Sequence, residues 1–142
     1  MHLKLTTALA GLGVVFSAGL ALAAMLPSNI ETMQTKVGKV YATSSGMTVY
    51  EFKKDSPHMH SSACNAGCAT LWPPVAAPAG FAPAAPWGAI TRQDGTQQLT
   101  YKGYPLYTWS KDVKAGDVSG QGVKGNWRAA RPGAAGAWTP AK

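Results

Sequence analysis

The chain has 142 residues and carries thirteen Lys and Arg against six Asp and Glu, a formal net charge of +7. Ten Pro and sixteen Gly break helices too often for a helical bundle. The basic residues are scattered, with no run longer than Lys53-Lys54, so there is no basic stripe and no nucleic acid partner is expected.

The first 23 residues read as an export signal. Lys4 supplies the positive start, Leu5 to Leu22 is uncharged and apolar, and Ala21-Leu22-Ala23 offers the small residues that a signal peptidase reads. Cleavage is expected near Ala23/Ala24. The apolar run is long enough to span a bilayer, but no basic stop-transfer flank follows it, so no span is expected after processing. No Cys precedes Cys64, and a lipid-acceptor Cys is therefore not expected. Removing 23 of 142 residues leaves about 119, which suits one domain. That mature chain keeps a charge of about +6 once Lys4 is lost, expected to be periplasmic or secreted. Its excess charge favours solubility and an anionic envelope component, or another envelope protein, as partner.

Residues 24–36 read as an N-terminal extension, in which only Ile30 to Lys36 has helical character, and that weak. Lys39 to Thr43 is β-prone, Ser44-Ser45-Gly46 is a turn, and Met47 to Phe52 alternates with β-branched and aromatic residues. Ala76 to Pro86 is rich in Ala and Pro and reads as a linker or an extended crossing. Asp94-Gly95 signals a hairpin between Ala89-Ile90-Thr91 and Gln98 to Tyr101. Lys102-Gly103 makes the next turn, and Leu106 to Trp109 a strand. Asp112 to Asn126 holds four Gly and reads as a long loop before a last strand, Trp127 to Ala130.

An internal repeat organises these elements. Gly46 to Asp55 (GMTVYEFKKD) aligns without a gap on Gly103 to Asp112 (GYPLYTWSKD), at a constant offset of 57. Gly, Tyr, Lys and Asp are identical; Val49/Leu106 and Phe52/Trp109 are like for like. Trp72 then aligns with Trp127 at an offset of 55, so the intervening loop has changed length by two. The division expected is repeat 1 at 37–75, a connector at 76–88, repeat 2 at 89–132 and a tail at 133–142. The fold class expected is all-β: a small antiparallel domain of two diverged tandem repeats with pseudo-twofold symmetry and long Gly/Pro-rich loops. Alternation puts Tyr50 and Phe52 on one face, with Tyr107 and Trp109, and Val49 and Leu106 on the other. Asp55 and Asp112, just past the strands, read as loop anchors that accept backbone N–H groups.

These residues resemble the bacterial secreted-repeat lipoprotein family with a Tyr-x-(Phe/Trp/Tyr)-x-x-Asp motif, a family of largely unknown function. The resemblance runs from about Val37 to Pro132. It rests on Tyr50-x-Phe52-x-x-Asp55, Cys64-x-x-x-Cys68 before Trp72-Pro73-Pro74, the Asp94-Gly95 hairpin, Gly103 to Tyr107, and Gly120 to Val123 before Trp127. It implies an envelope location and no established catalysis. The missing lipid-acceptor Cys is a departure that favours a soluble form.

Candidate chemistry concentrates in one loop. Cys64 and Cys68, an even pair in an exported chain, read as a disulfide that holds a turn. The sharper alternative is a copper site. His58, Met59, His60, Cys64 and Cys68 together offer imidazole, thioether and thiolate ligands, a set that suits copper if the thiols are reduced. No cofactor is otherwise demanded. Covalent haem is excluded because Ala69 stands where a His would follow the second Cys, and non-covalent haem ranks below copper. Asp55 and Asp112 are the one carboxylate pair that symmetry could bring together for glycoside hydrolysis, but no nucleophile motif accompanies them, and no catalytic residue is assigned. Trp72, Trp109 and Trp127 read as core, whereas Trp87 and Trp138, outside the motif, read as candidate surface residues for a glycan or protein. The function expected is that of a non-enzymatic envelope repeat module for binding or interaction, with a copper-binding or redox-accessory role as the alternative.

Overall fold

A computed structural model describes residues 25–133 and Trp138. The export signal and the rest of the tail lie outside the described residues. The described residues are all-β, with strands in two antiparallel sheets and one short α-helix, α1 (Gly67–Leu71).

The first hairpin joins β1 (Ile30–Thr35) to β2 (Gly38–Thr43), paired from Ile30↔Thr43 to Thr35↔Gly38. This corrects the helical reading of Ile30 to Lys36. A single helical turn or two cannot nucleate alone, whereas Gly38, at φ +102°, turns the chain and gives Ile30, Thr32 and Thr35 a partner strand that suits β-branched residues. The second sheet runs in the order β4 (Trp87–Thr91), β5 (Gln97–Tyr101), β6 (Tyr104–Tyr107), β3 (Tyr50–Phe52), β7 (Trp127–Ala129). The Asp94-Gly95 hairpin forms as read: Gly95 has φ +83°, and Asp94 accepts bonds from the Thr96 N–H and hydroxyl.

The central pair of strands carries the symmetry. Tyr50 lies opposite Tyr107 in the β3–β6 ladder, and these are the same position of the two repeats. A residue paired with its own repeat equivalent marks a local twofold axis between β3 and β6.

Around that axis the repeats exchange segments. Val75 of the first repeat donates to the Leu106 carbonyl and accepts from the Leu99 N–H, each at 2.8 Å. Ala130 of the second donates to the Val49 carbonyl and accepts from the Tyr41 N–H, also at 2.8 Å. Val75 and Ala130 are equivalent at the offset of 55, so each repeat's last extended segment completes the other's sheet. The Ala/Pro-rich stretch accordingly begins as an extended crossing, with the Ala77 N–H on the Gln97 carbonyl and Phe81 packed on the core.

Two apolar layers result, split by side-chain alternation. Val49 and Leu106 join Tyr41, Trp87, Leu99 and Tyr101 on one side. Tyr50, Phe52, Tyr107 and Trp109 join Trp72 and Trp127 on the other. Trp87 is 3% exposed and packs against Tyr41 and Tyr101, with ring centroids 4.9 Å away in both cases. This corrects its reading as a surface residue: a core poor in Ile and Leu is filled by aromatics. Trp138 is half-buried, its ring 4.3 Å from the Arg128 guanidinium. Arg128 in turn pairs at 2.7 Å with the buried Glu51. Burial pushes the Glu51 carboxyl up, and the Arg128 charge opposes this.

Candidate functional site

The motif residues form two crossed anchors. Tyr50 of the first repeat donates its hydroxyl to Asp112 Oδ2 of the second at 2.5 Å, and Tyr107 of the second donates to Asp55 Oδ2 of the first at 2.7 Å. The other oxygen of each carboxylate holds its own loop. Asp55 Oδ1 accepts from the Ala63 N–H at 2.7 Å. Asp112 Oδ1 accepts from the Ser119 N–H at 3.0 Å and its hydroxyl at 2.6 Å. The phenol oxygens accept in turn: Tyr50 from the Gly120 N–H, and Tyr107 from Ser62. Burial pushes the Asp55 carboxyl up, against the Ala63 and Tyr107 bonds. Burial also raises both phenols, reinforced by the neighbouring carboxylates. Each Asp therefore has both oxygens engaged by protein donors, and each Tyr stays protonated at neutral pH. The residues that looked like a paired-carboxylate site are tied up in structure.

The same symmetry builds a stack of four rings. Trp72 and Trp127, which are repeat equivalents, lie face to face at 3.6 Å and 3°. Trp109 stacks on the outer face of Trp72 at 3.9 Å, and Phe52 on Trp127 at 4.2 Å. Tyr50 and Tyr107 meet Trp72 and Trp127 edge-on, at 5.5 and 5.2 Å.

An apolar cleft of about 260 Å³ opens along this stack. Its lining is pseudo-symmetric: Phe52 answers Trp109, Trp72 answers Trp127, Cys68 answers Val123, and Leu71 answers Asn126. Lys54 and Lys124 complete it, and no acidic residue lines it. Leu71 remains 48% exposed. Lys111, the equivalent of Lys54, lies with its ammonium 5.8 Å from the Trp109 ring. Clefts that are mostly apolar with a few placed polar groups are the usual form of small-ligand sites. Sequence reading missed Lys54, Leu71, Val123, Lys124 and Asn126. Extending the Trp72/Trp127 offset by one residue would have paired Leu71 with Asn126.

The His58-to-Cys68 loop does not assemble the copper set. Cys64 and Cys68 are joined at an S–S distance of 2.00 Å, so neither offers a thiolate. His58, Met59 and His60 are exposed, and among the described residues no three His, Cys, Asp or Glu side chains converge to hold a metal. The disulfide instead forms a cleft wall. Cys64 is fully buried, and Cys68 reaches the lining. Arg92 fixes this wall from across the fold, donating to the Cys64 carbonyl at 2.8 Å, to Asn65 Oδ1 at 3.1 Å and to Gln98 Oε1 at 2.7 Å. Nothing in its local sequence marks Arg92 for that task.

Among the described residues no helix is long and apolar enough to cross a membrane. Comparison with curated proteins and with solved structures yields no match. A family profile does match, twice, over residues 31–76 and 88–131. Those two segments are the halves related by the Tyr50/Tyr107 axis and make up more than half of the chain. The chain therefore belongs to the family described as a secreted repeat of unknown function.

Proposed function

We propose that this protein is an exported, non-enzymatic binding module of the cell envelope, and that its ligand seats in the cleft along the aromatic stack. The observation that carries the reading is the two-repeat lining of that cleft, with Phe52, Trp72, Trp109 and Trp127 along one apolar wall. Two features support a role without catalysis. The motif carboxylates are saturated by Tyr and backbone donors, and no general base or nucleophile lines the cleft apart from the amines of Lys54 and Lys124. Export through a cleaved signal at residues 1–23, delivering the chain to the periplasm or medium, is supported by the Lys4 to Ala23 pattern and by the secreted character of the family.

The test is a ligand-observed NMR screen of a chemically diverse small-molecule library against the mature chain. Leu71→Asp is the site variant, since Leu71 is exposed enough to tolerate it. Val113→Asp is the control, at an exposed position outside the lining. Hits that vanish with Leu71→Asp and survive Val113→Asp support the reading. An absence of hits, or hits indifferent to Leu71→Asp, overturns it.

A further inference from the structure

We infer that the cleft takes a small aromatic anion: a flat one- or two-ring body with a carboxylate or similar acidic group. This rests on the binding reading above and names its ligand class. Size decides first. About 260 Å³ is roughly nine waters at ~30 Å³ each, enough for one or two fused rings but too little for a folded peptide segment. The body of the ligand follows from the wall. Phe52, Trp72, Trp109 and Trp127 all present ring surface to the cleft, and a flat ligand can meet it in offset or edge-on geometry.

Charge decides the rest. Lys54 and Lys124 line the cleft, and among the described residues no carboxylate neutralises either. Lys111 adds a third positive charge beside Trp109. An apolar floor between unpaired ammonium groups is complementary to an amphipathic anion and repels a cation.

The backbone at Lys124 offers a clean test of that charge. Lys124 sits at φ +51° inside the single 3₁₀ turn Val123–Gly125, between Gly122 at +79° and Gly125 at +65°. A third Gly there would relieve the left-handed strain. Lys124 is one of four described non-glycine residues with φ near +50°, with His60, Ala66 and Lys102, so Lys124→Gly removes the charge without straining the turn.

The experiment titrates the mature, disulfide-bonded chain with 2-naphthoate, following Trp fluorescence and calorimetry. Neutral 2-naphthalenemethanol and decanoate serve as comparisons. Saturable one-to-one binding of naphthoate is expected, at least tenfold tighter than the neutral alcohol and tighter than decanoate. Lys124→Gly, which suits the backbone and should leave Tm unchanged, is expected to weaken naphthoate about tenfold while leaving the alcohol unaffected. Equal affinity for acid and alcohol, tighter decanoate, or no naphthoate binding overturns the inference. If naphthoate fails while the library yields other hits lost in Leu71→Asp, the ligand class is wrong and the binding reading stands. If the library is empty as well, both fall.

Discussion

Tyr50 lies directly across the β3–β6 ladder from Tyr107, and each hydroxyl reaches over to the aspartate that ends the other's motif. The Tyr and Asp of one motif therefore serve different halves of the molecule. A local sequence signature has become a long-range clasp, spanning 62 positions in one case and 52 in the other.

That clasp makes the halves interdependent. Asp112→Asn and Tyr50→Phe should each lower stability by about 1.5–3 kcal/mol, the range for hydrogen bonds to a charged group. The double variant should cost clearly less than the sum, because both changes break one bond. Urea unfolding of the four proteins gives the cycle; strict additivity would contradict the clasp.

Alkaline pH should open the fold. Both phenols are held above their ordinary value near pH 10, so the unfolded chain releases these protons first. Their contribution is fully present below about pH 10 and is lost as pH rises beyond it. Tm measured from pH 8 to 11 should fall above about pH 10. The fall should be shallower in Tyr50→Phe and Tyr107→Phe, although both variants start from a lower Tm at pH 8.

Neither half should fold alone. Val75 is bonded to Leu99 and Leu106, and Ala130 to Tyr41 and Val49, so residues 25–76 or 77–133 in isolation lack a central segment. Each fragment is expected to give a collapsed, poorly dispersed NMR spectrum. Mixing the two should restore dispersed signals together with the far-ultraviolet exciton couplet of the Trp72–Trp127 stack.

The disulfide should be dispensable for the fold. The second repeat builds the equivalent loop, which ends at Val123 where the first has Cys68, with no cross-link. Replacing Cys64 and Cys68 with Ser is expected to cost less than the ~3 kcal/mol of a 15-residue loop, while loosening the cleft wall and weakening ligand capture. Thiol counts on the denatured, unreduced wild type should read zero.

Two glycines separate steric from conformational need. At Gly120 an added Cβ would stand 2.7 Å from the Tyr50 ring and 3.0 Å from Trp72, so Gly120→Ala should cost about 1–3 kcal/mol through overpacking. At Gly122 nothing lies within 4 Å, and Gly122→Ala should cost only the ~1–2 kcal/mol of a left-handed residue. Denaturant midpoints with unchanged m-values would check the order.

The amino-acid sequence alone determined the strand periodicity, the Asp94-Gly95 turn, the repeat and the face on which each motif aromatic lies. All are local, set by side-chain alternation and turn chemistry over a few residues. The family was legible too, because its repeated signature is contiguous. Only the tertiary structure decided that β1 is a strand, that Trp87 is core, and that the two motifs clasp each other crosswise. It alone brought Lys54, Leu71 and Lys124 to one cleft, whereas the Cys64–Cys68 disulfide was legible from the sequence and is formed. The physical reason is the twofold axis at Tyr50/Tyr107. Pairing across it joins residues more than fifty positions apart, and no periodicity along the chain records which partner a residue meets there.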